Sequence, residues 1–306
     1  MLSIVIVTYN GMPWLKKCLD SCRGYNVIVV DNASTDGTLA FIQANYPKVK
    51  LLPQNKNLGF GQANNLGMSQ ALNQGAEHVF LLNQDAYLID DCLDKLVNVQ
   101  REKPEYGILS PIHTNGRQDK LDANFSNYMA YRNNPHFYSD FVLGNKLKPV
   151  YNVPFVNAAA WLISKQCLLT VGGFDPIFFH YGEDDNYCQR VLFHGLKIGV
   201  LPTSFVIHDR EDRVKAEFRK FSDTYFSLKV RAYNNKYANV NAKNQEKAID
   251  KEIHKLKKLA LKGLLRFKLL NYKGYSKQFN ALKDNKGMIL KSVSKNKIPG
   301  ANYLSL

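Results

Sequence analysis

The 306-residue chain is predicted to be an α/β protein: a mainly parallel central sheet flanked by helices on both faces, followed by a basic, mostly helical extension. Three observations carry that reading. Short β-branched runs alternate with helical patterns over the first hundred residues, which is the signature of parallel strands joined by helical crossovers. The polar residues Asn10, Asp31 and Asp85 fall where three of those runs end, on the strand edge where open α/β sheets collect ligands. Charge is also segregated: residues 229–306 hold 19 Lys+Arg against 4 Asp+Glu, whereas residues 1–228 hold 22 of each. That shift places the boundary between a catalytic-type domain, 1–228, and the extension, 229–306.

In chain order, Leu2 to Thr8 reads as a buried strand running into the turn Tyr9-Asn10-Gly11, and Pro13 suits the first turn of a helix reaching Ser21. Val27 to Val30 is a second strand, Asn32 to Gly37 a turn, and Thr38 to Asn45 a helix. Val49 to Leu52 is a third strand, Asn64 to Gln74 a helix, and Val79 to Leu82 a fourth strand followed by the loop Asn83-Gln84-Asp85. Asn115 to Lys148 is polar and aromatic and is read as a long loop or short hairpin, the kind of insertion that carries specificity. Val156 to Ile163 is a strand or the start of a buried helix, Asp184 to Phe193 a helix, and Lys197 to Leu201 a last strand.

Composition excludes several classes. A hydrophobic fraction of 45% fits a packed core and not a disordered chain. The five cysteines are scattered, with no CxxC pair and no Cys/His cluster at zinc spacing, so neither a disulfide framework nor structural zinc is expected, and a reducing compartment is. The apolar start Met1 to Val7 is too short for a signal peptide, and no run of about 18 apolar residues is present to span a bilayer. A cytoplasmic protein, soluble or peripheral at the inner face of the membrane, is the expectation.

Asp85 directly follows an apolar strand, where a carboxylate can hold a divalent cation bridging phosphate oxygens, or can cap a turn and helix. Asp31 ends its strand where it can accept hydrogen bonds from a base or ribose, while Asp36 is read as a helix cap. Gly59 and Gly61 precede a helix; they fit an anion approached by backbone N–H groups, or simply a tight turn. Glu183-Asp184-Asp185 is the strongest single feature. Acids are favoured at a helix start by about 0.3–1 kcal/mol each, but the neighbouring Phe178, Phe179 and Tyr181 give these an apolar setting in which a carboxylate can become a general base. His208 alone is as well explained structurally; beside Asp85 it becomes a candidate metal ligand.

Five segments in order resemble the inverting family 2 glycosyltransferases of the GT-A fold, in particular their rhamnosyltransferase-like branch. They are Ile4-Val5-Ile6-Val7-Thr8-Tyr9-Asn10, Val29 through Thr38, Asn55 through Gly61, Leu81-Leu82-Asn83-Gln84-Asp85, and Gly172 through Asp184. The resemblance covers about residues 2–210. It implies that Thr8, Asn10 and Asp31 contact the donor nucleotide, with Asp31 on the base, and that Asn57, Gly59 and Asn83 line the nucleotide pocket. It implies Mg²⁺ or Mn²⁺ at Asp85, with His208 as second ligand. Asp184 would deprotonate the acceptor hydroxyl, with Glu183 orienting acceptor or base. Two positions depart from the family pattern. Asn83 stands at the first position of the DxD motif, as in much of the rhamnosyltransferase-like branch. Asn186 replaces the last acid of Glu-Asp-x-Asp, which makes Asp185 a second candidate for the base.

The function implied is transfer of a sugar, rhamnose among the candidates, from a dTDP- or UDP-sugar to a hydroxyl of a growing lipid-linked surface polysaccharide. The alternative is an inactive GT-A protein that binds nucleotide-sugar or scaffolds polysaccharide assembly; loss of Asp85, or of Glu183 and Asp184, would have favoured it. A nucleotidyltransferase would need a Gly/Lys-rich phosphate loop after the first strand, where Thr8-Tyr9-Asn10-Gly11 stands. In the extension, Ile249, Ile253, Leu256, Ala260, Leu264 and Phe267 recur at helical spacing among lysines. This basic amphipathic helix either lies on an anionic membrane or packs on the domain with its lysines solvated. No recognition motif for nucleic acid accompanies the charge.

Overall fold

The computed structural model describes residues 1–210 and 218–306. Its first part is a run of crossovers: β1 (Leu2–Thr8), α1 (Met12–Ser21), β2 (Asn26–Asp31), α2 (Thr38–Asn45), β3 (Lys50–Pro53), α3 (Phe60–Asn73) and β4 (His78–Asn83). The four strands pair in parallel in the order β3-β2-β1-β4. Strand alternation sorts their side chains cleanly. Ile4, Ile6, Val27, Val29, Phe80 and Leu82 face Leu15, Cys18 and Leu19 of α1 and Ile42 of α2. Val5, Ile28, Val79 and Leu81 face Met68 and Ala71 of α3. Both faces are therefore apolar, as a sheet covered on both sides requires.

Beyond β4 the sheet becomes mixed. The chain continues through β5 (Ala86–Leu88), α4 (Cys92–Glu102), β6 (Tyr106–Thr114), α5 (Ala123–Tyr128), α6 (Pro135–Leu143), β7 (Tyr151–Asn152), β8 (Ala160–Ser164), α7 (Lys165–Val171), α8 (Glu183–Phe193) and β9 (Lys197–His208). β8 inserts antiparallel between β4 and β6, and β9 runs parallel to β6 while pairing antiparallel with β5 and β7.

The stretch 115–148 differs from the loop or hairpin expected. After a tight return that bridges Thr114 to Leu121, it forms two short helices. The signals are local caps: Asp122 Oδ1 accepts from Phe125 N at 2.9 Å, and Asn134 Oδ1 from Phe137 N at 3.0 Å just before Pro135. α3 also starts at Phe60 and not Asn64, because Gly61 lies inside its first turn; a Cβ there would come within 2.8 Å of Phe174 Cβ. β9 runs seven residues past Leu201, through Pro202 and a register shift opposite Pro111/Ile112.

The extension is helical, with α9 (Asp223–Tyr237), α10 (Gln245–Leu265) and α11 (Leu269–Asn296). The boundary read from charge, between 228 and 229, falls inside α9. Phe178 packs with Tyr237, Ile249, Leu256, Leu282, Ile289 and Val293, so these helices grow onto the segment that precedes α8. The final residues return to the sheet domain: Gly173 N donates to Asn302 O at 2.7 Å, and Ser305 N to Ser69 Oγ at 3.0 Å. Among the described residues no helix is long and apolar enough to cross a membrane.

One buried cation holds this junction. Arg190 of α8 is fully buried and donates to Val171 O at 2.8 Å, Gly173 O at 2.7 Å and Asn186 Oδ1 at 3.0 Å, with its guanidinium against the Tyr187 ring. Arg190→Ala leaves three buried acceptors without their donor and should lower stability by roughly 3 kcal/mol or more. The midpoint of chemical denaturation checks this; a midpoint equal to wild type would mean that the carbonyls find other donors.

Candidate active site

A cleft of about 490 Å³ opens at the carboxyl ends of β1, β2 and β4. Its lining includes Asn57, Gly59, Asn83, Asp85, Glu183 and Asp184, six of the residues singled out from sequence. Thr8, Asn10, Asp31, Asp185 and His208 are not among the lining residues and stand behind it.

One wall of the cleft is built by amide cross-bracing. Asn32 Nδ2 donates to Asn57 Oδ1 at 2.9 Å, Leu58 N donates to Asn32 Oδ1 at 2.8 Å, and Asn57 Oδ1 also accepts from Gly59 N at 2.8 Å. Gly59 sits at φ 79°, and a Cβ on it would overlap the Phe179 carbonyl, so glycine is needed both for its backbone and for the approach of the two loops. Thr8 faces Asp31 across β1–β2, and its Oγ1 donates to Gln84 Oε1 at 2.8 Å, tying strand β1 to the loop after β4. Asn10 Oδ1 accepts from Thr35 N at 2.8 Å, and Asp31 Oδ2 from Ser34 N at 3.1 Å. Asp31 Oδ1 is buried without a protein partner, as is Asn157 Oδ1 in the cleft wall. Buried acceptors of this kind match the N–H and O–H donors of a base or sugar. Asp36 accepts from Thr38 N at 3.1 Å and Met12 N at 3.2 Å, so it ties the starts of α2 and α1 together, while the N-cap of α2 itself is Gly37 and not Asp36.

Asp85 and His208 meet through strand pairing. β5 and β9 put Ala86 opposite His208, and Asp209 N donates to Asp85 O at 2.8 Å. Both side chains are 1% exposed, with His208 Nε2 at 3.6 Å from Asp85 Oδ1 and Nδ1 at 3.8 Å from Asp122 Oδ2. These spacings are too long for hydrogen bonds, and neither ring nitrogen has a hydrogen-bond partner. A buried carboxylate facing a buried, unsatisfied imidazole nitrogen fits a divalent cation, and Asp122 is the carboxylate on the other side of the ring. Among the described residues no group of three or more His, Cys, Asp or Glu gathers as a metal cluster. Ligand oxygens and water would have to complete the shell, as is usual for Mg²⁺ and Mn²⁺ at phosphates.

Sequence reading missed Arg210 and Asp122. Arg210 lines the cleft two residues after His208, and grips Asp122 through Nε at 2.8 Å and Nη2 at 2.6 Å. Burial opposes the Asp122 charge, but the paired guanidinium, the Phe125 N–H and His208 outweigh it and hold the carboxyl below its usual range. His113, buried between Phe125 and His208, is pushed down to about 3 by burial and then by His208, so it stays neutral. The Asp122 cap and the i, i+2 spacing of His208 and Arg210 were the available signals; both needed β9 to be read to its end.

The acids at the start of α8 diverge. Glu183 is buried, its Oε2 has no partner, and burial raises its pKa. Asp184 faces the cleft, its Oδ1 accepting from Asp185 N at 2.9 Å. Burial first, then the Glu183 and Asp185 charges, push its pKa up to about 7. Asp185 turns away toward α9, where Asn235 Nδ2 approaches its Oδ2 at 3.4 Å.

Residues 3–168 match the family described as Glycosyl transferase family 2. The chain is 29% identical over 242 residues to N-acetylglucosaminyl-diphospho-decaprenol L-rhamnosyltransferase of Mycobacterium tuberculosis, covering 69% of this chain and 76% of that protein. It is 26% identical to the dTDP-rhamnosyl transferase RfbF of Shigella flexneri, over 68% of this chain and 69% of that one. Among solved structures, the mannosyltransferase PcManGT of Pyrobaculum calidifontis in complex with GDP-Man and Mn²⁺ superposes with a TM-score of 0.51 at 18% identity. That match covers 96% of this chain and 86% of that one.

Proposed function

The chain belongs to glycosyl transferase family 2, and on that premise we propose that it is a metal-dependent, inverting rhamnosyltransferase acting on a lipid-linked glycan. The observation that carries the reading is one cleft with a cation-type pair, Asp85 and His208, and a separate carboxylate, Asp184, whose pKa lies near neutrality. The acids whose loss would mark an inactive scaffold, Asp85, Glu183 and Asp184, all line it. A dTDP-sugar donor, or a UDP-sugar, and a diphosphate-linked acceptor are supported by the names of the two relatives, and Mn²⁺ or Mg²⁺ by the Mn²⁺ complex of the structural neighbour.

Asn57, Gly59 and Asn83 form the nucleotide wall, with Thr8, Asn10 and Asp31 behind it; Asp31 Oδ1 awaits a donor from the base. Asp85 and His208 would hold the cation, which when bound would offset the charge developing on the nucleoside-diphosphate leaving group. Arg210, paired with Asp122 and fixed in place by it, presents its guanidinium as a hydrogen-bond donor at the same wall. Asp184 takes the proton of the acceptor hydroxyl. The freed oxygen forms the bond to the anomeric carbon as the bond from that carbon to the diphosphate oxygen breaks, so the configuration inverts. Glu183 keeps Asp184 basic through like charge, and Asp185, held toward Asn235, supports it from outside the cleft.

Of the two readings of the basic helix, packing is the one its apolar stripe follows. The stripe Ile249, Ile253, Leu256 and Ala260 packs inward against α11, so it is not a membrane face. Leu264 and Phe267 are instead exposed at the α10–α11 turn, with Leu261, Leu265, Leu269 and Leu270; Phe267 is 92% exposed and Leu265 72%. Residues 253–283 contain nine Lys+Arg and no Asp or Glu. An apolar tip in an all-basic collar suits the interface of an anionic bilayer and supports a peripheral position at the cytoplasmic face of the membrane.

Four outcomes check these roles. Asp184→Asn should retain donor affinity and lose about 10²–10⁴-fold in turnover. In wild type, turnover should rise with pH through about 7, because the base works only when ionised; a rate flat from pH 5 to 8 would remove Asp184 from the role. Asp85→Ala should abolish the Mn²⁺-dependent part of dTDP or UDP binding in calorimetry. Leu265→Ser/Phe267→Ser should lower sedimentation with phosphatidylglycerol vesicles at least tenfold, and equal sedimentation would move membrane contact elsewhere.

A further inference from the structure

A second cavity, of about 700 Å³, lies between the loop ahead of α8 and the helices α9 and α11. Phe179, His180 and Tyr181 line both it and the catalytic cleft, so one aromatic loop is the wall between them. Its far side carries Lys229 and Arg231 from α9 and Lys277 from α11, with Asp223 as the acid among its lining residues. Rings flank the three cations: Lys229 lies over Tyr225, Arg231 over Tyr181 at 4.6 Å, and Lys277 over Phe226 at 4.2 Å, where it also donates to Asp223 Oδ1 at 2.9 Å. Between them the lining is apolar, with Phe178, Phe226, Val230 and Ala281.

A second observation points to a ligand. Gln278 lines this cavity at 3% exposure; its Oε1 accepts from Tyr233 Oη at 3.2 Å, but its Nε2 is buried with no acceptor. Asn234 Oδ1, also lining the cavity, is likewise unpaired. A buried amide donor without a partner is left with its desolvation uncompensated, and an oxygen-rich anion in the cavity would supply the acceptor. Basic side chains converging on an apolar floor match one chemistry, a phosphate or diphosphate carrying a hydrocarbon chain.

We propose that this cavity is the acceptor subsite: it holds the diphosphate and first hydrocarbon segment of an amphiphilic acceptor, whose sugar crosses the Phe179–Tyr181 wall to reach Asp184. The assignment rests on the sugar-transfer reading above and gives it a place for the acceptor. Two features of the fold agree with it. α9 grips the same loop, since Asn234 Nδ2 donates to Ile177 O at 3.3 Å and a Cβ on Gly182 (φ 95°) would collide with the Asn235 side chain, so filling the cavity bears directly on the segment that carries the base. Lys277 and Gln278 also lie eight residues along α11 from the exposed Leu269 and Leu270, about 12 Å at 1.5 Å per residue, within reach of a chain leaving toward the membrane.

The probe is farnesyl diphosphate, titrated by calorimetry in EDTA against wild type, Asp85→Ala and Lys229→Glu/Lys277→Glu, with farnesol and inorganic diphosphate as controls. Binding is expected in wild type and in Asp85→Ala, and should weaken at least tenfold in the double variant, with both controls weaker than the amphiphile. The double variant should keep wild-type thermal stability and wild-type dTDP or UDP affinity. Binding that disappears with Asp85 and survives the lysine changes would place the diphosphate in the donor cleft and overturn the assignment, as would no binding to wild type or equal binding of farnesol. Because this readout needs no sugar transfer, an enzyme that proves inactive on every nucleotide-sugar would defeat the functional reading and leave this result standing on its own.

Discussion

The geometry of the cleft depends on how the segment Gly172–Gly182 is pinned ahead of α8. Arg190 bonds backward to Val171 O and Gly173 O, Asn65 of α3 clasps the Phe174 backbone through both its amide atoms, and Asp175 accepts from Ser292 and Asn296 of α11 at 2.6 Å each. Three separate elements thus fix one loop. A residue that begins a helix cannot choose its direction; the loop ahead of it does. With that loop fixed, Asp184 points into the cleft and Asp185 toward α9. The extension is therefore part of the active-site scaffold, since two of its side chains hold the loop from outside the sheet.

The same loop sets the electrostatics. Three consecutive acids in an apolar setting would ordinarily repel one another, and the helix start offsets only part of that cost. The structure divides them: one is buried, one faces the cleft and one meets an amide. The result is a carboxylate that ionises near neutrality beside a nucleotide wall of uncharged amides. Positive charge is kept across the cleft, where Arg210 is locked to Asp122 behind the Asp85–His208 pair. In the proposed reaction Asp184 serves the acceptor oxygen and the Asp85–His208 pair the leaving diphosphate.

Much of this was legible in the chain. β1, β2, β4 and α2 are set by short-range patterns, and α2 begins and ends at the residues expected, Thr38 and Asn45. Asn57, Gly59, Asn83, Asp85, Glu183 and Asp184 were recognisable by their order, although each alone was ambiguous. What was hidden depends on long-range pairing. Arg210 and Asp122 are 88 residues apart, and they meet only because β9 runs on to His208. The helices within 115–148 were masked by their aromatic, polar composition, since six- and nine-residue helices show too little periodicity to outweigh it. In the extension, periodicity located α10 but could not say which apolar residues α11 would cover. Ile249 and Leu256 are covered, whereas Leu265 and Phe267 are not.

The account joins a family 2 scaffold to a single displacement with one carboxylate on the acceptor side. Its most direct test is the stereochemistry of transfer. Product formed from an α- or β-configured nucleotide-sugar is followed by proton NMR of the anomeric signal at early times, before any mutarotation or back-reaction. The account predicts that the new glycosidic bond has the configuration opposite to the donor's. Retention of configuration would contradict it, because two displacements need a nucleophile on the donor's far face, a role the account gives to no residue of this cleft.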